Sequence, residues 1–240
     1  MFKFYFVVTI SVFSFLYFYC RFLILENHPE KYTDAQRYDL VKYACSTVQR
    51  RSKVNDEVFG LENLPSQGGY IMYSNHQGRY DCIGIIMAHE EPCSVVIDKT
   101  RSKVILLNQI TQLVRGQRLD KKDMRNQIQV IQNVATEVSQ GKKYIIFPEG
   151  GYPEGVSDNS VREFMPGSFK AALKAKCPIV PITIVDSYKV FSQKGLKSVT
   201  TQIHFLEPIP YEEYKNMRTQ EISDLVKSKI IDKLTEVQAI

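Results

Sequence analysis

Short apolar runs alternate with longer stretches of helical spacing along most of this chain. Gly, Pro or charged residues bound each short run, as they bound strands in folded sheets. The predicted strands are Val54–Pro65 with its closing turn, Gly69–Ser74, Cys93–Asp98, Tyr144–Phe147, Ile179–Val185 and Val199–Phe205.

The segments between these runs carry apolar residues at helical spacing. They predict helices at Tyr32–Lys53, Tyr80–His89, Ser102–Val114, Met124–Gln140, Gly167–Lys176 and Thr219–Val237. Two segments are predicted loops: the polar, basic Gly116–Asp123 and the long Gly/Pro-rich Pro148–Pro166. Alternating strands and helices predict an α/β fold with a mixed, mostly parallel sheet flanked by helices.

The N-terminal run has a different pattern, because Phe4 to Cys20 contains no charged residue and many Phe and Tyr. Continued through Arg21 to Leu25, a helix here is about 33 Å long, against ~30 Å for a bilayer core. A soluble fold would have to wrap such a helix on every face. We therefore interpret the run as a membrane-associated helical segment, and crossing the bilayer or lying in one leaflet are both consistent with it.

The following helix, Tyr32–Lys53, is amphipathic with a basic end at Arg50 and Arg51. It either docks on the domain or lies on the membrane surface. We expect two units: residues 1–53 as membrane anchor and amphipathic helix, and residues 54–240 as the domain that carries chemistry. Basic residues after the apolar run favour the cell membrane with this domain on the cytoplasmic side.

The charge balance of the chain limits the classes of ligand and macromolecule that the protein is expected to bind. The net charge is +5 and the pI about 8.8, which suits an anionic membrane surface or a phosphorylated ligand. The 31 Lys and Arg are scattered among 26 acidic residues with no basic run interleaved with aromatics, which argues against nucleic acid. Five Cys without a CxxC and four His outside ligand spacing predict no metal site, and no cofactor motif is present.

The first stretch that could carry chemistry is IMYSNHQGRYD, Ile71–Asp81. A predicted strand delivers His76, and Asp81 follows where the next helix begins. A neutral imidazole can take a proton from a hydroxyl while a carboxylate fixes its orientation. The spacing alone also fits a helix-capping Asp81 beside an Asn75–His76 turn.

A second stretch is IIFPEGGYPEG, Ile145–Gly155, where a strand runs directly into Glu149, Gly150 and Gly151. Loops at the carboxyl ends of strands are where α/β folds place ligands. Adjacent glycines let a ligand approach the backbone closely, and so long a loop is usually functional. A solvated surface turn is the alternative.

A third stretch, Arg115–Arg125, presents Arg118 and Lys121 from a loop before a helix. Cations placed there form a natural anion site, although a solvated charged turn has the same composition.

Together these stretches resemble the 1-acylglycerol-3-phosphate (lysophosphatidate) acyltransferases and related glycerolipid acyltransferases. The resemblance covers roughly Val58–Pro210. Its blocks occur in the family's order: GLENLP with SNHQGRYD, then RLDKKDMR, then IIFPEGGYPEG, then CPIVPITIVDSYKVF.

The resemblance implies that His76 is a general base, oriented by Asp81, that activates the free hydroxyl of a lysophospholipid. That hydroxyl attacks a thioester of acyl-CoA or acyl-carrier protein, with no covalent acyl-enzyme, metal or cofactor. The acceptor's phosphate-bearing end is implied to contact Lys121, Glu149 and Gly150. The predicted substrate-binding set also includes Asn75, Arg118 and Gly151. We expect membrane lipid to be a further partner of the protein.

Two departures from the family pattern concern the acceptor. Lys121 stands where the second block usually has Arg, with Arg118 as a substitute nearby. Gly151 and Tyr152 stand where the third block usually continues Thr-Arg, so one cationic ligand is missing. A different lysophospholipid or a glycolipid acceptor is therefore one alternative, and a non-catalytic lipid-binding scaffold another. A hydrolase with Ser74 as its nucleophile is a further alternative, but the sequence around Ser74 lacks the G-x-S-x-G motif.

Overall fold

The computed structural model describes residues 2–104, 106–153, 155–193 and 195–239. Ile105 and Glu154, within the predicted helix Ser102–Val114 and loop Pro148–Pro166, lie outside the described residues. The strands are β1 Val54–Phe59, β2 Tyr70–Ser74, β3 Cys93–Asp98, β4 Gln117–Leu119, β5 Lys143–Ile146, β6 Ile179–Val185 and β7 Val199–Phe205. The α-helices are α1 Phe2–Ile10, α2 Val12–Asn27, α3 Asp34–Arg51, α4 Asp81–Ala88, α5 Leu107–Leu113, α6 Met124–Ser139, α7 Lys170–Ala175, α8 Lys189–Ser192, α9 Tyr211–Tyr214 and α10 Thr219–Gln238.

The strands form one sheet in the order β1-β7-β6-β2-β5-β3-β4. All neighbours are parallel except β6 and β7, which pair antiparallel. This confirms the predicted mixed, mostly parallel sheet flanked by helices. Because β2 and β5 are parallel neighbours with Tyr73 beside Ile146, the loops that follow them emerge at the same edge.

The centre of the sheet is buried on both faces, which explains why its strands are continuous apolar runs rather than alternating ones. Tyr70 and Met72 of β2 pack into a cluster shared with α2, α3, α4 and α5. Ile71 and Tyr73 pack into a second cluster with α6, α7 and α10. β2 is therefore fixed from both sides, and so is the residue position where it ends.

Helix α3 docks on the domain, which was one of its two predicted placements. Thr33 begins it with a capping box, in which its hydroxyl accepts from the Gln36 amide and its amide donates to the Gln36 side chain. Tyr38, Val41 and Cys45 lie buried in the same cluster as α4.

The N-terminal run is two helices rather than the single helix predicted. α1 and α2 meet at Ser11 with a bend of 65°. No single helix in the described residues is long and apolar enough to cross a membrane, whereas α1 and α2 pass together by length and composition. Phe18, Phe22 and Leu25 pack into the domain, while the opposite side leaves large apolar side chains in solvent, Phe13 at 82% exposure.

The prediction of a loop at Gly116–Asp123 was wrong for Gln117–Leu119, because β4 adds there as an edge strand beside β3. Its three residues are all partly exposed, so no alternation of burial marked it. The predicted helix Ser102–Val114 was too long: a 3-10 turn occupies Arg101–Lys103 and α5 begins only at Leu107. The one-turn helices α8 and α9 are too short to give a periodic signal.

The buried His204 makes the stability of the fold depend on pH. Its ring stacks on Phe59 with centroids 4.6 Å apart, and burial lowers its pKa from 6.5 to about 4. As pH falls below 6.5 the unfolded chain takes up a proton that the folded chain refuses, so stability is lost until about pH 4. Between pH 7.5 and 5 we expect a loss of roughly 1–2 kcal/mol from this residue. Urea unfolding in mild detergent should show a smaller loss for His204→Gln, and equal losses would contradict this assignment.

Candidate active site

The end of β2 is pinned to its neighbour β6 by the side chain of Asn75. The Asn75 amide donates to the carbonyl of Ile184 at 2.9 Å, and its carbonyl accepts from the Ile184 amide at 2.8 Å. Asn75 is completely buried. Its side chain therefore fixes the backbone just before His76, and its predicted substrate contact stays a prediction.

The side chains of His76 and Asp81 are in contact, which is the arrangement that the resemblance implied. Nδ1 of His76 lies 2.6 Å from Oδ2 of Asp81, which is the first residue of α4 and is buried. Oδ2 also accepts the backbone amides of Gln77 at 2.6 Å and Gly78 at 2.9 Å. The hydroxyl of Ser187 donates to the other oxygen, Oδ1.

These contacts determine the tautomer of His76. Asp81 already accepts three other donors and has no proton to give, so Nδ1 must carry the hydrogen and donate it. The lone pair is then on Nε2, which has no hydrogen-bond partner among the described residues. The arrangement gives a base with a fixed orientation and one free nitrogen.

Two aromatic side chains enclose the His76 ring. Phe147 stacks on it with centroids 4.1 Å apart, and Tyr152 meets it edge-on at 4.6 Å. Only 14% of the His76 side chain is exposed. The imidazole is held in an apolar slot that limits access to one side.

Glu149, which belongs to the third block, accepts a hydrogen bond from the backbone of His76. Its Oε1 accepts the backbone amide of His76 at 2.9 Å, and its Oε2 pairs with the guanidinium of Arg162. Burial raises the pKa of the Glu149 carboxyl, while the His76 amide and Arg162 oppose that shift. The side chain is completely buried, so it positions the backbone of the site.

Lys121 reaches the glycine pair of the third block. Its Nζ donates to the Gly150 carbonyl and lies 4.0 Å from Asp98. Gly150 has φ +73°, a backbone conformation that favours glycine, and a Cβ there would also displace the terminal methyl of Met165, 2.6 Å away. The Gly150 amide donates to Phe147 at 3.0 Å, whereas the Gly151 amide has no partner in the part of the chain that the structure describes.

Arg118 is turned toward a different part of the domain. Its Nε donates to Ser102 at 3.2 Å and its Nη2 to the Asn108 side chain at 2.9 Å. Among the described residues it makes no hydrogen bond to His76, Glu149 or the glycine pair. The structure does not bring Arg118 into contact with these residues, and its predicted role stays a prediction.

A buried polar network, which the sequence did not indicate, joins the first block to the long loop and the fourth block. Gln77 donates to Asn159 at 2.9 Å and accepts the Ser187 amide at 3.0 Å. Asn159 in turn accepts the Asp186 amide at 2.7 Å. The block sequences contain Gln77 and Ser187, but no spacing rule marks them as partners of Asp81.

A cleft of about 190 Å³ opens beside His76. The long loop forms most of its wall, and the lining residues from this loop are Pro153, Gly155, Val156, Ser157, Asp158, Ser160 and Arg162. A hydroxyl that enters this cleft meets an imidazole whose Nδ1 is anchored and whose Nε2 is unpaired. The geometry fits proton abstraction from an alcohol.

Comparison with known proteins gives matches that include this site. The family model described as Acyltransferase matches residues 56–185. The 1-acyl-sn-glycerol-3-phosphate acyltransferase alpha of Ovis aries is 27% identical over 185 residues, 75% of this chain and 63% of the relative. The 1-acyl-sn-glycerol-3-phosphate acyltransferase of Saccharomyces cerevisiae is 27% identical over 75% of this chain and 60% of its own length. This chain thus spans less than two thirds of either relative.

The fold has a counterpart among solved structures. The 1-acyl-sn-glycerophosphate (LPA) acyltransferase PlsC of Thermotoga maritima superposes with a TM-score of 0.75 at 18% identity, over 99% of this chain and 94% of that one. The family match includes His76, Asp81, Lys121 and Glu149 within its bounds and confirms the resemblance drawn from the ordered blocks. This chain belongs to the acyltransferase family.

Proposed function

We propose that this protein transfers a fatty acyl group from a thioester to the free hydroxyl of lysophosphatidate, which gives phosphatidate. The observation that carries the proposal is the His76 ring, held at Nδ1 by Asp81 at 2.6 Å and unpaired at Nε2 beside the cleft. The names of the curated relatives support this acceptor. Acyl-CoA and acyl-carrier protein are the two thioester donors consistent with the chemistry.

The reaction needs one base and no covalent acyl-enzyme. Nε2 of His76 takes the proton of the acceptor hydroxyl as its oxygen bonds to the thioester carbonyl carbon. Asp81 stabilises the imidazolium that forms. When the carbon–sulfur bond breaks, the proton passes from Nε2 to the departing sulfur, so an ester and a free thiol leave.

The negative charge on the thioester oxygen requires a donor near His76. The Gly151 amide can supply it, because it has no partner among the described residues, whereas the Gly150 amide donates to the Phe147 carbonyl. Oriented backbone amides of this kind stabilise an oxyanion without reorganisation. We assign this role to Gly151, with Lys121 on the neighbouring carbonyl.

We further propose that α1 and α2 hold the protein at the cell membrane, with residues 54–240 on the cytoplasmic side. Both substrates carry acyl chains, so the cleft must lie near a bilayer. The exposed faces of α1 and α2 supply apolar and aromatic side chains such as Phe2, Phe13 and Leu16. Because α3 docks on the domain, we assign the anchoring surface to these two helices.

The catalytic proposal predicts that His76→Ala lowers turnover of lysophosphatidate by about 10²–10⁴-fold, because the base is lost. The assay supplies purified protein in detergent with acyl-CoA or acyl-carrier protein and follows thiol release and phosphatidate. His204→Gln is the matched control, a histidine of the same sheet outside the cleft. Undiminished turnover in His76→Ala would refute the mechanism, and no turnover by wild-type protein with any lysolipid would refute the function.

The anchoring proposal predicts that changing Phe2, Phe13 and Leu16 together to Ser weakens membrane association. Each such side chain contributes about 1.5–3 kcal/mol when buried in an apolar phase. Vesicle sedimentation should show a fall of at least tenfold in the membrane-bound to free ratio. The control changes Met124 and Ile128 to Ser, since these α6 side chains are also exposed. Equal binding by both variants would contradict the assignment.

A further inference from the structure

The third block has no cationic side chain directly after Gly150, and Arg162 reaches this place from a later part of the loop. Its guanidinium donates through Nη2 to the carbonyl of Gly151, the first residue of the departure. The same nitrogen reaches the carbonyl of His76 at 3.2 Å and pairs with Glu149. The charge absent beside Gly151 in the sequence is thus present there in the folded chain.

The contacts of Arg162 leave most of its donors unused. Every hydrogen bond and ion pair it makes among the described residues goes through Nη2. A guanidinium has five N–H donors, so those on Nε and Nη1 remain for a ligand. The side chain is 36% exposed and lines the cleft that holds His76. The Nη2 end of the guanidinium therefore contacts the protein, and the N–H groups on Nε and Nη1 are left to contact a ligand.

Lys121 approaches the same glycine pair independently. It donates to the carbonyl of Gly150, adjacent to the carbonyl that Arg162 contacts. Gly150 and Gly151 both have positive φ. Two cations that converge on this one pair of glycines supply the positive charge that binds a phosphate.

Three carboxylates lie near these two cations, and each has contacts of its own. Glu149 is completely buried and pairs with the anchored edge of Arg162, so it fixes the guanidinium. Asp158 also lines the cleft, but it is exposed and its oxygen accepts from Ser160. Asp98 is 4.0 Å from Lys121, at the outer limit of an ion pair.

We propose that Arg162 binds the phosphate of the acceptor together with Lys121, and that it thereby selects a phosphomonoester over an uncharged headgroup. The choice of lysophosphatidate as the acceptor rests on the proposed function. A planar guanidinium can contact two phosphate oxygens at once, which an ammonium cannot. Arg162 is then a specificity-determining residue that the sequence pattern did not mark.

The test compares wild type with Arg162→Gln and Arg162→Lys. Two ligands with the same acyl chain are used in detergent, lysophosphatidate and monoacylglycerol. Kd is measured by equilibrium binding, and KM and kcat by thiol release. Arg162→Gln should raise Kd and KM for lysophosphatidate about 10- to 100-fold and leave those for monoacylglycerol unchanged. Arg162→Lys should lie between, because it keeps the charge without the fork.

Arg101→Gln is the matched control. Arg101 also contacts this loop, with its guanidinium 4.4 Å from the Tyr152 ring and a hydrogen bond to the Tyr152 carbonyl. Among the described residues it makes no hydrogen bond or ion pair with Gly150, Gly151 or Glu149. Its loss should leave the preference for lysophosphatidate intact. Thermal unfolding establishes that each variant is folded, and Arg162→Lys carries the test if Arg162→Gln is not.

The outcomes separate this inference from the proposed function. Equal losses for both ligands, or a fall in kcat alone, would overturn phosphate binding and leave Arg162 as a support for Glu149. Unchanged constants for lysophosphatidate in the Arg162 variants of an active enzyme would also overturn it. Arg162-dependent binding by a wild-type protein that acylates no lysolipid would support the inference and refute the function.

Discussion

The carboxylate of Asp81 is the interaction on which the site depends. Four donors meet it: the His76 ring, the amides of Gln77 and Gly78, and the hydroxyl of Ser187. A buried carboxylate is tolerated only when its oxygens are satisfied in this way. The same contacts that offset its burial also fix the tautomer and direction of the base. The hydrogen bonds that stabilise the buried carboxylate are therefore also the ones that orient the base.

The rest of the fold brings three chain segments to this carboxylate. β2 is buried from both faces and pinned to β6 through Asn75, so His76 has little freedom. β5 lies beside it and delivers Glu149, whose carboxylate accepts the His76 amide. A parallel sheet places both loops at one edge, and the buried network of Gln77 draws in the fourth block. The long loop is thus held at several points.

Much of this arrangement could be predicted from the sequence. The central strands are buried on both faces, so their apolar runs can be recognised in the sequence. His76 and Asp81 are five residues apart, so one turn of the chain is enough to bring them into contact. The break at Ser11 was not predictable, because neither side of it contains Pro or Gly and hydropathy is unchanged across it. β4 was missed because three partly exposed residues carry no periodicity.

The sequence could not predict which partners the side chains of the site contact. Asn75 and Arg118 stand in the expected blocks, yet Asn75 bonds to β6 and Arg118 to Ser102 and Asn108. Ser187 and Arg162 meet the site only through long-range folding, more than eighty residues from His76 in the chain. Such contacts depend on the packing of the whole sheet, which no local pattern encodes.

The most direct test of the central claim is the protonation of the His76 ring. Nitrogen-15 NMR of histidine-labelled protein, with the His76 signals assigned by their loss in His76→Gln, reports which ring nitrogen carries the hydrogen. We expect the neutral ring to carry its hydrogen on Nδ1, bonded to Asp81, and a free lone pair on Nε2. A ring with its hydrogen on Nε2 would have no base facing the cleft and would contradict the account.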